Sequence, residues 1–162
     1  MRLELVAPTA NDTRAIGSAL APLLRPGDGV ALTGELGAGK TTLVQGVAAA
    51  LGYDGPVASP TFTLVREYRA PGLTLLHADV YRLDRVQEVV DLELAELLGD
   101  DGVLLVEWGD AVESLLPEDH LVIELLVPGE GEERTIAMIP IGGGWAGRWE
   151  RLEQAMDRWA LA

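Results

Sequence analysis

The stretch GELGAGKTT, Gly34–Thr42, sets four residues between two glycines and follows the second glycine with Lys-Thr. An apolar run, GVALT (29–33), precedes it, and a helix-like run, TTLVQGVAAALG (41–52), follows. Strand, glycine-rich turn and helix in that order form a phosphate-binding unit. Backbone N–H groups of such a turn converge on a β-phosphate, and the helix N-terminus adds the positive end of its dipole. Gly34 and Gly39 permit the backbone conformations the turn needs, and Gly37 does the same or leaves room for phosphate. Lys40 is positioned to bridge β- and γ-phosphates, and Thr41 to offer its hydroxyl to Mg²⁺. The expected nucleotide-binding residues are therefore Gly34, Glu35, Leu36, Gly37, Ala38, Gly39, Lys40, Thr41 and Thr42.

Lys40 is also the single lysine of the chain. The Asn-Lys-x-Asp signature that reads guanine is thereby impossible, and no aspartate starts an Asp-x-x-Gly run. Elimination leaves ATP as the expected nucleotide.

With 162 residues the chain is long enough for one domain with a sizeable core, so 1–162 is read as a single phosphate-loop ATPase domain. No apolar run approaches the ~18 residues of a membrane span, and MRLELVAP alternates like a strand instead of forming a signal-peptide centre. Cysteine is absent, which excludes disulfides and thiolate chemistry. A cytoplasmic location is the expectation. The net charge of -14 opposes unaided binding to a phosphate backbone. Most of that charge reads as a solvated acidic surface.

Along the chain, a strand over Met1–Val6 leads to a helix from Thr9, its N-cap, with Ile16, Leu20, Leu23 and Leu24 on one face. The helix from Lys40 to Leu51 aligns Leu43, Val47 and Leu51, and Gly52 terminates it. Gly46 inside that helix suggests close packing against a sheet. TFTLVREY and LTLLHAD read as a hairpin joined at RAPG, and LVIELLV with RTIAMIP as a second. DRVQEVVDLELAELL has helical spacing, and VLLVE is a buried strand. Trp145, Trp149, Leu152, Met156 and Trp159 line one face of an amphipathic C-terminal helix spanning 145–162, which reads chiefly as core packing. The predicted class is α/β, a phosphate-loop NTPase-like sandwich around a mixed, mostly parallel sheet.

A phosphate-loop enzyme needs a second acid at the end of a buried strand, on Mg²⁺ directly or through water. Two strands end that way, LTLLHAD at Asp79 and VLLVE at Glu107. One carboxylate can hold the metal while the other orients or deprotonates the attacking water. Spacing alone leaves the two roles interchangeable.

GELGAGKTT, SPTFTLV (59–65), HADVYRL (77–83) and VEWGD (106–110) occur in this order. Together they resemble the motifs of the bacterial TsaE (YjeE) family, ATPases of tRNA threonylcarbamoyladenosine biosynthesis. The resemblance runs from the first helix to the second hairpin. Ala78 departs from it, standing where the family usually has an aromatic residue. The resemblance implies that Thr41 and Glu107 bind Mg²⁺ and that Asp79 is the acid needed for hydrolysis. It further implies that Ser59, Pro60 and Thr61 form a switch-like loop near the γ-phosphate, which sets Thr61 beside Lys40 and Asp79 in the catalytic group. Trp108 would lie beside the site, Tyr81 and Arg82 would support the Asp79 segment, and Arg134 falls in the region the family places near the nucleotide. His77 reads as a hydrogen-bonded strand residue, and His120 as a surface one.

The implied activity is ATP hydrolysis coupled to a TsaD–TsaB complex that modifies the adenosine beside the anticodon, with tRNA held by the partners. Two rivals carry less support. A small-molecule kinase would need an arginine-bearing lid, yet Arg82 and Arg85 lie next to Asp79. The other is a nucleotide-gated binding module.

Overall fold

The computed structural model describes residues 1–35, 37–58, 65–79, 98–108 and 116–161. The expected helix over 84–98 falls almost wholly outside these residues. The described strands are β1 (Leu3–Ala7), β2 (Gly29–Thr33), β3 (Val65–Ala70), β4 (Leu73–Asp79), β5 (Gly102–Glu107), β6 (His120–Leu126) and β7 (Arg134–Ile141). They form one sheet in the order β1-β7-β6-β2-β5-β4-β3. β6, β2, β5 and β4 run parallel at its centre, while β3 and β7 pair antiparallel to their neighbours. Both expected hairpins form, β3–β4 and β6–β7. The class is α/β with a mixed, mostly parallel sheet.

Strand composition explains the centre. β2 and β5 are apolar along nearly their whole length, as strands covered on both faces must be. One face carries Leu75, Val103, Leu105, Leu121 and Ile123 into the main core, and the opposite face carries Leu76, Ala78, Leu104 and Val106. Among the described residues three α-helices contribute to the main core: α1 (Ala10–Leu20), α2 (Lys40–Ala50) and α3 (Trp149–Ala155). α1 starts with a capping box, in which the Thr9 hydroxyl accepts from the Asp12 amide and the Asp12 carboxylate accepts from Thr9. The Thr9 hydroxyl, donating to the Asp12 carboxylate at 2.7 Å, and then the Trp159 indole, donating at 3.1 Å, hold the Asp12 carboxyl below its ordinary value. The stabilisation is therefore present above the ordinary aspartate pKa and fades as pH falls through the lowered one.

Two sequence expectations need correction here. Gly46 packs against α1, not against the sheet. A Cβ at Gly46 would lie inside contact distance of the Arg14 carbonyl oxygen, and one at Gly17 inside that of Leu43. Each helix thus offers a glycine to the other's backbone, and the Ser18 hydroxyl donates to the Gly46 carbonyl at 3.0 Å. In an exposed helix Gly→Ala gains about 1 kcal/mol. Gly46→Ala should instead cost roughly 1–3 kcal/mol, the scale of overpacking. Urea melts decide it, and a variant as stable as the parent would mean that the helices separate freely.

The C-terminal helix is also shorter than expected. α3 covers Trp149–Ala155, Trp145 lies in the turn before it, and a 3₁₀ turn spans Asp157–Trp159. All three tryptophans are buried in the main core, as a packing stripe should be. Among the described residues no helix is long and apolar enough to cross a membrane.

Candidate functional site

The parallel strands bring three sequence motifs to one edge. Asp79, at the end of β4, stands level with Glu107 at the end of β5, and Leu32 of β2 pairs with Glu107 from the other side. The loop that follows β2 therefore begins beside Glu107, with Asp79 one strand further out. The C-terminal edge of parallel strands is where α/β sheets bind ligands.

The loop takes the conformation its glycines allow. Gly34, Gly37 and Gly39 sit at φ of 143°, 81° and 105°, which side chains rarely tolerate. Gly39 is the N-cap of α2 and directs the helix amides toward the loop. Leu36 lies outside the described residues. The Lys40 ammonium donates to the Gly34 and Glu35 carbonyls at 2.7 and 2.9 Å, and lies 3.9 Å from the centre of the Trp108 ring. Trp108 has φ of 66°, the only positive value among the described non-glycine residues. Its amide donates to Leu32 at 2.7 Å, which holds this turn against β2. Strained backbone of this kind gathers at functional sites. It directs the indole beneath the lysine.

Thr41, in the first turn of α2, donates its hydroxyl to Glu107 Oε2 at 3.1 Å. The same oxygen lies 2.5 Å from His77 Nε2. His77 Nδ1 is 3.2 Å from the Tyr68 hydroxyl, which also lies 3.2 Å from the Ala58 carbonyl. His77, Asp79 and Glu107 are all buried. Burial pushes the Tyr68 hydroxyl above its ordinary pKa, which keeps its proton in place at neutral pH.

Arg134 opens β7 and braces the loop, donating to the carbonyls of Ala38 at 3.0 Å and Gly37 at 3.3 Å. Beside it a cavity of about 70 Å³ is lined by Thr13, Gly37, Thr42, Glu132 and Arg134, among others. The buried Thr13 hydroxyl has no hydrogen-bond partner among the described residues.

The structure thus joins Lys40, Thr41, Glu107, Trp108 and Arg134 around one loop, with Asp79 on the adjoining strand end. Ser59, Pro60, Thr61, Tyr81 and Arg82 lie outside the described residues. His120 is buried, not exposed: it opens β6, and its Nδ1 is 2.9 Å from the Pro117 carbonyl. His77 is the hydrogen-bonded strand residue the sequence suggested, with both ring nitrogens engaged, whereas Tyr68 was missed entirely by sequence reasoning. The signal available for His77 was its standing two residues before Asp79, on the same face of β4.

The donor set suits a hard cation. A threonine hydroxyl and a carboxylate meet at the start of the helix, and Mg²⁺ prefers one or two protein oxygens supplemented by phosphate and water. Among the described residues no group of three His, Cys, Asp or Glu side chains forms an all-protein cage.

A family model for the threonylcarbamoyl adenosine biosynthesis protein TsaE matches residues 7–136. The chain is similar to the tRNA threonylcarbamoyladenosine biosynthesis protein TsaE of Bacillus subtilis (strain 168), with 41 % identity over 147 residues, covering 91 % of this chain and 89 % of the relative. A Treponema pallidum protein of the same description is 41 % identical over 136 residues, 83 % of this chain and 100 % of its own length. The crystal structure of Bacillus subtilis YdiB superposes with a TM-score of 0.77 at 35 % identity, covering 98 % of this chain and 95 % of that one.

Proposed function

The chain belongs to the TsaE family of tRNA threonylcarbamoyladenosine biosynthesis, and from that premise we propose that it is a Mg²⁺-dependent ATP hydrolase acting on a TsaD–TsaB complex. The observation that carries the reading is the meeting of Thr41 and Glu107 at 3.1 Å, with Lys40 one residue before Thr41. A loop ammonium, a helix-start hydroxyl and a strand-end carboxylate gathered in this way are the parts a metal–polyphosphate site uses.

In the proposed mechanism the loop amides and the α2 N-terminus cradle the β-phosphate. Lys40 exchanges its Gly34 and Glu35 carbonyl acceptors for β- and γ-phosphate oxygens. Thr41 and Glu107 would hold Mg²⁺, which supplies charge neutralisation across those oxygens. Asp79 orients the attacking water, and Thr61, Ser59 and Pro60 keep the role the family motif gives them toward the γ-phosphate. Trp108 stacks on Lys40 and keeps bulk water from its ammonium. The cavity at Thr13, Thr42 and Arg134 lies on the loop flank, where the nucleoside end would sit.

The charge of -14 supports a division of labour in which the partners hold the tRNA in the cytoplasm. ATP hydrolysis should be slow for the protein alone and rise when TsaD, TsaB and tRNA are added. The protein alone should bind no tRNA at physiological salt. Phosphate release and a tRNA gel shift test both expectations. Stimulation that is absent with the complete set, or salt-sensitive micromolar tRNA binding by the chain alone, would remove the coupling part of this reading.

A further inference from the structure

We infer that His77, held by Tyr68, is a positioning residue for the carboxylate of Glu107 and sets the strength of its Mg²⁺ site; this rests on the metal role proposed for Glu107. His77 Nε2 and the Thr41 hydroxyl converge on one oxygen, Oε2, at 2.5 and 3.1 Å. Neither of these contacts takes Oε1. A carboxylate fixed through one oxygen by two donors keeps its plane and turns the other oxygen to a constant direction. Partners of this kind orient metal ligands and raise their affinity.

The imidazole is itself constrained. His77 is completely buried on β4, one strand away from Glu107 on β5. Facing a carboxylate, Nε2 carries the proton, and Nδ1 then accepts from the Tyr68 hydroxyl at 3.2 Å. Tyr68 comes from β3, antiparallel to β4, and its ring also packs on Tyr53, with centroids 5.0 Å apart. The Ala58 carbonyl, 3.2 Å from the Tyr68 hydroxyl, is a competing acceptor for the same single proton. Gln45 of α2 holds the neighbouring Val57 carbonyl at 3.1 Å. A buried imidazole with both nitrogens engaged would also satisfy a purely structural role. What separates the two roles is the metal dependence of nucleotide binding.

The experiment measures binding of a non-hydrolysable ATP analogue by calorimetry, in EDTA and across a Mg²⁺ series. The variants are Glu107→Gln, His77→Phe, His77→Gln and Tyr68→Phe, each checked by its thermal melt. His77→Phe should raise the Mg²⁺ concentration for half-maximal effect by roughly 10–100-fold, the usual cost of losing a partner of a metal ligand. Affinity in EDTA should stay at the parent value. His77→Gln, whose amide can still donate to Oε2, should recover most of the loss, and Tyr68→Phe should shift the same curve by a smaller factor. Equal weakening with and without Mg²⁺, or an unmoved Mg²⁺ curve in His77→Phe and Tyr68→Phe, overturns the inference. Should His77→Phe fail to fold, the Gln and Tyr68 variants decide alone. If Glu107→Gln also leaves the Mg²⁺ curve unmoved, the metal site itself is misplaced, which is a separate failure.

Discussion

Asp79→Asn is expected to leave the affinity for ATP and Mg²⁺ nearly unchanged while lowering turnover by roughly a hundredfold or more, the scale of a lost general base. Glu107→Gln should behave differently, weakening the Mg²⁺-linked part of nucleotide binding, because a neutral amide is a poor ligand for a hard cation. The geometry gives a reason for the contrast. Glu107 shares Oε2 with the Thr41 hydroxyl, so it stands at the start of the phosphate-loop helix. Asp79 ends the next strand outward, in register with Glu107 but one strand further from the loop. A carboxylate there is better placed for what approaches the γ-phosphate than for the ion between the phosphates. Nucleotide affinity with and without Mg²⁺, followed by turnover with the partner complex, distinguishes the two. If Asp79→Asn loses the Mg²⁺-linked affinity while Glu107→Gln keeps it, the roles are exchanged. If turnover survives in both, hydrolysis takes place elsewhere.

The sheet and the loop were legible in the sequence because each rested on a local signal. GVALT before the loop and Lys40–Leu51 after it carry strand and helix patterns that no tertiary contact had to override. The two acids were also legible, since a charge closing a buried apolar strand is conspicuous. Which of them meets Thr41 was not, because register between strands far apart in sequence decides it. The same limit hid Tyr68: nothing in VREYRA says that its hydroxyl meets an imidazole nine residues later. Gly46 was noticed as costly, but its partner was misjudged. Spacing shows that a helix needs a close approach, and only the packing shows that the neighbour is α1. The C-terminal stripe reads as one helix by periodicity, yet the helix begins only at Trp149, and the preceding turn at Gly144–Trp145 is held by the Arg148 guanidinium.

That arginine supports the other large effect. Arg148 is buried, stacks 3.9 Å from the centre of the Trp145 ring, and donates to the Leu23 carbonyl at 2.8 Å. Its guanidinium also makes a two-pronged pair with Asp28, at 2.6 and 3.1 Å. Asp28 immediately precedes β2, so this one side chain ties the C-terminal segment to the strand that feeds the phosphate loop. Arg148→Met keeps the stem's volume against Trp145 but leaves the Asp28 carboxylate without its cation. Breaking a buried pair from one side costs about 3–5 kcal/mol. Asp28 keeps 13 % of its side-chain surface and a bond from the Arg25 amide at 2.7 Å, which places the expectation at the lower end. A loss of about 3 kcal/mol lowers Tm by roughly 6–12 °C in a chain of this length. Asp28→Asn should also destabilise, and the double variant should lose clearly less than the two losses added together, since neither charge is then buried alone. Urea and thermal melts of the three variants supply the cycle. An Arg148→Met protein as stable as its parent, or strictly additive losses, would show that the C-terminal segment is held by its tryptophans and not by this pair.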